Sequence, residues 1–204
     1  MEGTIKYPRM IYYKGDPSIL EKPSVAVIGT RHPSEKGSTA CYRMTRRICE
    51  MTDFQITTGL AIGCDTIAAR AALDAGRPVI AVLPSGTSNI YPKGNIRLAE
   101  EIVDKGGCLV SDYAPDESAY KWRFIARDKL MAEIASAVIV VQCGESSGTM
   151  HTVKAARELG KKLGCWIPTN PDIGDFGGNH LMVSDYGATG IQSINELIGF
   201  LDAI

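Results

Sequence analysis

A one-glycine turn follows an apolar run near the start of this sequence and carries a basic side chain. Residues 25–28 (VAVI) run directly into Gly29-Thr30-Arg31. The turn matches neither the G-x-G-x-x-G pattern of a dinucleotide site nor the G-x-x-x-x-G-K-[ST] pattern of a P-loop. Arg31 could bond a phosphate through its guanidinium fork, helped by the Thr30 hydroxyl and nearby N–H groups. It could equally be a solvated charge beside a tight turn.

A second turn of this kind, Ser147-Gly148-Thr149, opens a helical pattern. It resembles the phosphate loops of Rossmann-like phosphoribohydrolases, which place a glutamate three residues after the Gly-Thr pair. Here that position is Thr152, so the general acid/base of nucleotide hydrolysis is missing. His151 pairs with no nucleophile in the sequence, which favours a structural or surface histidine over a catalytic one. We therefore predict an anion-binding loop and no enzyme.

Two further loops could complete an anion site. Gly59 and Gly63 precede another helical pattern, either to admit an anion to the helix start or to allow close strand–helix packing. The turn "YPKGN" contains Lys93 and Asn95, and Lys93 either faces Arg31 or is solvated.

Basic and aromatic residues alternate in the segment "YKWRFIARDK", residues 120–129. This combination suits single-stranded nucleic acid, which proteins hold by phosphate contacts and base stacking. The alternative is a helix entry whose Trp122 and Phe124 face the core. The basic residues of the segment are Lys121, Arg123, Arg127 and Lys129.

The elements that must position these loops alternate along the chain. Short apolar runs predict strands at 25–28, 55–58, 79–83, 108–111, 138–141 and 164–167. Helical patterns lie at 37–51, 65–75 (with Asp65 as a cap), 95–105, 124–134, 149–162 and 193–203. This alternation predicts a doubly wound, Rossmann-like α/β fold with a mainly parallel sheet and helices on both faces. Ligands of such sheets bind beyond the carboxyl ends of the strands, where all the loops above lie.

Composition limits the remaining classes. The 204 residues, 45% hydrophobic with a formal net charge of −1, predict one globular domain over 1–204, with 1–24 as a lead-in and 193–204 as a closing helix. Residues 170–179 are predicted to form a loop. No run of 18 apolar residues predicts a membrane span, and the N-terminus is not typical of a secretory signal. Six scattered cysteines indicate reduced, buried thiols in a cytoplasmic protein. No metal-ligand spacing or cofactor motif is present.

Taken in order, seven motifs resemble the DNA-processing protein A family (DprA, also called Smf) over about residues 10 to 190. They are "IYYKGDPSIL", "VAVIGTR", "TGLAIGCDTIAARAAL", "AVLPSGTSNIYPKGN", "FIARDKLMAEIASAVIVVQ", "SSGTMHTVKAARELGKKL" and "GGNHLMVSDYGA". Seven ordered matches are specific where one would be weak. There are departures: Cys64 and Ala69 replace an isoleucine and a histidine, and Asp128 replaces a neutral residue.

The resemblance implies single-stranded DNA binding, delivery of that DNA to a RecA-type recombinase in DNA uptake or recombination, and a homodimer. It places Arg31 and Lys93 on the DNA backbone. The expected binding rim comprises these two and Gly29, Thr30, Gly59, Gly63, Asn95, Arg127, Lys129, Ser147, Gly148 and Thr149. The alternatives are a nucleotide sensor or nucleotide-processing enzyme on the same fold, and an accessory protein that mainly binds a recombinase.

Overall fold

A computed structural model describes residues 1–169 and 174–204. Its strands are β1 (Glu2–Lys6), β2 (Met10–Gly15), β3 (Ser24–Ile28), β4 (Gln55–Thr58), β5 (Val79–Val82), β6 (Cys108–Ser111), β7 (Ala137–Val140), β8 (Lys162–Trp166) and β9 (Thr189–Ile191). Its α-helices are α1 (Glu35–Met51), α2 (Cys64–Asp74), α3 (Ile96–Asp104), α4 (Arg123–Ile134), α5 (Thr149–Glu158), α6 (Gly177–Tyr186) and α7 (Ile194–Asp202). Short 3₁₀ turns cover Pro17–Glu21 and Lys93–Asn95.

The strands form one sheet in the order β1-β2-β6-β5-β4-β3-β7-β8-β9. Strands β3 to β9 are parallel, and the β1–β2 hairpin joins the β6 edge antiparallel. After β3 the chain adds β4, β5 and β6 on one side and then returns to place β7 on the other. The strand order therefore reverses between β3 and β7, and a crevice opens there at the carboxyl ends of the strands.

Alternate residues of each central strand supply two cores, one on each face. In β3, Val25 and Val27 pack with α1, α2, α3 and α7. Ala26 and Ile28 pack on the opposite face with α4, α5 and α6. All five residues of β3 are buried, as expected for a parallel strand covered on both faces. The predicted fold class is therefore confirmed.

The six predicted strands are present within two residues of their predicted limits, but three strands were missed. Strands β1 and β2 lie at the edge of the sheet, and β1 alternates exposed and half-buried residues instead of forming an apolar run. The segment 1–24 is therefore more than a lead-in. Strand β9 has only three residues.

Two helix predictions and one loop prediction need correction. The helix predicted for 149–162 ends at Glu158, because Gly160 adopts a left-handed φ of +67° and Lys162 starts β8. The loop predicted at 170–179 becomes helix α6 from Gly177 onward, while residues 170–173 lie outside the described part. Asp65 is not a cap: Gly63 occupies that position, and the Asp65 carboxylate serves the preceding loop.

Candidate nucleic-acid interface

The Gly29-Thr30-Arg31 turn is bonded to both of its neighbours in space. The Thr30 N–H donates to the Gln142 carbonyl after β7 (2.7 Å), and the Thr30 carbonyl accepts from the Cys64 N–H of α2 (3.1 Å). A Cβ on Gly29 would lie 2.6 Å from the Cys64 sulfur. The turn is thus fixed at the reversal in strand order, and Arg31 projects from it as an exposed side chain.

Gly63 is required where α2 meets this turn. Its φ is +80°, which side chains other than glycine rarely adopt. A Cβ there would also clash with the Thr30 carbonyl oxygen and lie 2.5 Å from that of Arg31. Gly63 therefore acts by letting α2 approach the turn, which was the second of the two interpretations of this glycine.

The neighbouring loop after β4 contains a strained residue held by buried polar groups. Leu60 has a left-handed φ of +56°. The Asp65 carboxylate accepts from the N–H groups of Gly59 (3.0 Å) and Ala61 (3.4 Å). The Asn95 amide donates to the Leu60 carbonyl (2.8 Å). Two side chains from separate helical segments thus fix the backbone around Leu60.

Arg127 supports the same loop from α4. Only 7% of its surface is exposed. Its guanidinium donates to the Gly59 carbonyl, to the Val82 carbonyl (3.4 Å) and to the Asp128 carboxylate (2.9 Å). The sequence suggested Arg127 and Asn95 as DNA contacts, but their polar groups are engaged inside the protein. Their observed role is to position the loop.

Burial raises the pKa of two carboxyl groups beneath this loop. Desolvation raises the pKa of the Asp65 carboxyl to about 6, against the lowering effect of the Arg127 charge. Desolvation likewise raises the pKa of Asp128, again opposed by Arg127. The Asp65 carboxylate beneath the site is therefore neutralised as pH falls through about 6.

Aromatic rings flank the exposed arginine. The Arg31 guanidinium carbon lies 5.7 Å from the centroid of the Phe124 ring, and that of Arg127 lies 5.9 Å from the same centroid. Tyr91 packs edge-to-face on Phe124 at 5.4 Å and is itself 42% exposed. A cation and π faces suited to stacking thus lie side by side.

These groups line an open groove of about 800 Å³ beyond the carboxyl ends of β3 and β7. We call it the switch-point groove. Of the predicted residues it brings together Gly29, Thr30, Arg31, Arg127, Ser147, Gly148 and Thr149. Gly59 lines a smaller hollow that shares Arg31, Tyr91, Phe124 and Arg127 with the groove.

Two predicted lysines lie elsewhere. Lys93 lines a separate hollow beyond Tyr91 and Pro92, and its amine donates to the Asn89 side chain (3.0 Å). Lys129 is exposed on α4 and is not among the described residues that line the groove. The expected pairing of Lys93 across from Arg31 is therefore not formed within one groove.

Sequence reasoning missed several lining residues. Tyr91, His151 and Lys121 all line the groove and are exposed. Lys121 had been noted only as part of the basic and aromatic segment, and that segment was the signal that could have found it. Tyr91 stands directly before the "PKGN" turn but carries no charge to draw attention to it.

The groove has the chemistry of an anion and ring-binding surface. Its exposed cations, Arg31 and Lys121, form no ion pair with any residue in 1–169 or 174–204. The start of α5 adds backbone N–H groups and the positive end of the helix dipole at Ser147-Gly148-Thr149. Over the described ranges, no group of three acidic, histidine or cysteine side chains is arranged to hold a metal. All six cysteines are buried free thiols.

None of the described helices combines the length and apolar character needed to cross a membrane.

Comparisons with known proteins agree with this architecture. Residues 1–202 match the sequence model of DNA recombination-mediator protein A. The DNA processing protein DprA of Bacillus subtilis is 30% identical over 191 residues, which are 93% of this chain and 63% of the relative.

Two solved structures are also similar. DNA processing protein A from Streptococcus pneumoniae has a TM-score of 0.84 at 32% identity, covering 94% of this chain and 66% of that one. DNA processing protein A from Helicobacter pylori, studied for its single-stranded DNA binding mode, has a TM-score of 0.87 at 27% identity, covering 100% and 96%.

Fold and site together define a Rossmann-like protein with a cationic, aromatic groove at the reversal in strand order. The chain belongs to the DNA recombination-mediator protein A family. It spans less than two thirds of the length of the curated relatives from B. subtilis, S. pneumoniae and Synechocystis.

Proposed function

We propose that the chain binds single-stranded DNA in the switch-point groove. The observation that carries this proposal is the exposed Arg31 guanidinium beside the Phe124 ring, at the reversal in strand order between β3 and β7. A nucleotide offers a phosphate and a π face at neighbouring positions, and single-strand binders use both. The relative from H. pylori, whose single-stranded DNA binding mode has been described, supports the proposal.

In this proposal, different residues of the groove bind different parts of the strand. Phosphates would bind Arg31, the Thr30 hydroxyl and the start of α5 at Ser147-Gly148-Thr149. A base would stack on Phe124, with Tyr91 bordering it. Gly29, Gly59, Gly63, Asn95 and Arg127 would act by holding the loops in shape.

Lys93 and Lys129 would contribute outside the groove. Lys93 lines a separate hollow, so it would meet the strand outside the groove, after release from Asn89. Lys129 would attract the backbone from the exposed side of α4.

The setting we propose follows from family membership. The chain would act without catalysis, in the cytoplasm, as one domain over residues 1–204. It would work as a homodimer and pass the strand to a RecA-type recombinase in DNA uptake or recombination. The free, buried thiols fit a reducing compartment.

Fluorescence anisotropy with a labelled oligonucleotide tests the assignment. Arg31→Ala combined with Lys93→Ala should weaken binding at least tenfold, a free-energy change of about 1.4 kcal/mol. Because the two side chains line different hollows, the single variants should each account for part of the loss. Unchanged binding by the double variant would contradict the site.

A nucleotide sensor is the second candidate, favoured by the groove volume of about 800 Å³, which is in the range of small-molecule pockets. A thermal-shift screen of mononucleotides separates the two functions. Stabilisation by a mononucleotide without oligonucleotide binding would support the sensor, and the reverse would support the proposal above.

A further inference from the structure

Three aromatic rings surround a single guanidinium just outside the groove. The Arg123 guanidinium carbon lies 3.9 Å from the ring centroid of Tyr113, 4.9 Å from that of Tyr120 and 5.2 Å from that of Trp122. Tyr113 and Trp122 also pack edge-to-face at 5.9 Å. We call these four residues the aromatic shelf.

Hydrogen bonds fix the Arg123 residue at the centre of the aromatic shelf. Arg123 is 8% exposed and donates to the Glu117 carboxylate (2.7 Å) and to the Ser118 carbonyl (2.9 Å). The Arg123 N–H closes a turn on the Tyr120 carbonyl (2.9 Å). The Arg123 guanidinium is thus fixed in the free protein, and the three rings pack around it. A preformed arrangement of this kind lowers the entropic cost of binding a stacking partner.

Two rings of the shelf face solvent. Trp122 is 62% exposed and Tyr120 is 54% exposed. Large apolar groups presented together on a surface mark an interaction site. Because Glu117 balances the Arg123 charge, the shelf suits a flat, weakly polar group such as a nucleobase better than a phosphate.

The shelf is continuous with the switch-point groove. Within the segment 119–125, Ala119, Lys121, Phe124 and Ile125 line the groove. Lys121 stands in sequence between the two exposed rings. A strand that leaves the groove along this side would therefore place a phosphate near Lys121 and its next bases over Tyr120 and Trp122.

We propose that the aromatic shelf is a second base-stacking site for single-stranded DNA, occupied by nucleotides that extend beyond the groove. This inference rests on the proposed function and adds to it a length requirement. Stacking needs unpaired bases and tolerates any sequence. Strands long enough to reach the shelf should therefore bind tighter than strands that only fill the groove.

The test compares Trp122→Ala with Trp122→Phe, which retains a π face, on oligothymidylates of about 4 and about 12 nucleotides, within the span of known single-strand sites. Trp122→Ala should weaken binding of the longer strand roughly fivefold or more, since alanine substitution costs that much per stacked base. Trp122→Phe should restore most of this loss. Two control strands should bind the wild type and both variants equally well. They are the shorter strand and an abasic strand as long as the longer one.

Tryptophan fluorescence gives an independent readout. The sequence has two tryptophans, and Trp166 packs edge-to-face on Phe176 at 5.4 Å on another part of the molecule. In a Trp166→Phe background, the 12-nucleotide strand should quench the Trp122 emission, and the 4-nucleotide strand should not.

The possible failures can be told apart. If the wild type binds neither strand, the proposed function fails and the shelf proposal fails with it. If it binds both, but Trp122→Ala binds the longer strand normally and emission is unchanged, only the shelf is wrong. A change of oligomeric state in Trp122→Ala, with DNA binding intact, would overturn the proposal in favour of a protein interface.

Discussion

The exposed position of Arg31 is determined by the backbone contacts of the turn that carries it. The N–H and the carbonyl of Thr30 both form hydrogen bonds, and the close packing at Gly29 and Gly63 has no space for a side chain. The sequence alone left Arg31 equally explained as ligand or surface charge. What favours the first is its placement over Phe124 at the reversal in strand order, which spacing along the chain does not reveal.

At the same scale, the sequence could not separate residues that touch a ligand from those that hold a loop. Asn95 belongs to the YPKGN turn and Arg127 to the basic and aromatic segment, so both were predicted as contacts. In the structure their side chains donate to the carbonyls of Leu60 and Gly59, in a loop where Leu60 has a left-handed backbone. A strain of this kind on a non-glycine residue has no sequence signature.

Asp65 gives a pH-dependent contribution to stability whose sign is fixed by its burial. Its pKa rises from 3.8 to about 6 on folding, so the folded protein keeps a proton that the unfolded chain loses between these values. The contribution of this group is thus most favourable below about pH 4 and is lost as pH rises to about 6, by on the order of 3 kcal/mol. Asp65→Asn removes this titration.

Urea unfolding of both proteins measures the effect. The free energy of unfolding of the wild type minus that of Asp65→Asn should be larger at about pH 4.5 than at about pH 7.5. Other carboxylates titrate in both proteins and largely cancel in the difference. Equal differences at the two pH values would show that folding does not raise the pKa of Asp65.

At the scale of elements, the apolar runs predicted every central strand because those strands are buried on both faces. The β1–β2 hairpin escaped because β1 alternates exposed and half-buried residues and most residues of β2 are not fully buried, so neither strand forms a buried apolar run. Helix α6 escaped because its start follows a Gly- and Asp-rich stretch. Its buried Asn179 bonds the carbonyls of Val141 (3.0 Å) and Trp166 (2.8 Å), so tertiary contacts determine it.

The joint between α2 and the Arg31 turn can be tested through Gly63. Gly63→Ala combines a strained φ with a clash against the carbonyls of Thr30 and Arg31, so it should destabilise the protein and weaken DNA binding. Gly76 offers the matched control, with a φ of +72° and no atom within 4 Å of where a Cβ would lie. Gly76→Ala should cost only about 1–2 kcal/mol for its left-handed backbone.

Thermal unfolding and oligonucleotide titration of both variants would give the comparison. Gly63→Ala should lose more stability than Gly76→Ala, and it alone should lose affinity. If the two variants behave alike in both measurements, the close approach of α2 to the turn does not shape the site.

For the whole molecule, the net charge is too small and of the wrong sign to attract DNA, so the attraction must come from a local group of cations. A formal net charge of −1 provides no general attraction to a polyanion. Attraction must come from the few exposed cations at and beside the groove, chiefly Arg31, Lys121 and Lys93. Each phosphate neutralised on a single strand releases counterions and lowers the slope of log K against log salt by about 0.7. Two or three such contacts predict a slope of roughly −1.5 to −2.

The most direct measurement is the salt dependence of single-stranded DNA binding by the wild type, Arg31→Ala and Arg47→Ala. Arg47 is the control, since it is exposed near the C-terminal end of α1, ahead of β4 in the chain, and does not line the groove. Arg31→Ala should bind about tenfold more weakly and have a slope about 0.7 closer to zero, for one lost phosphate contact. Arg47→Ala should match the wild type. Equal affinity and slope in all three proteins would contradict a DNA site at the switch-point groove.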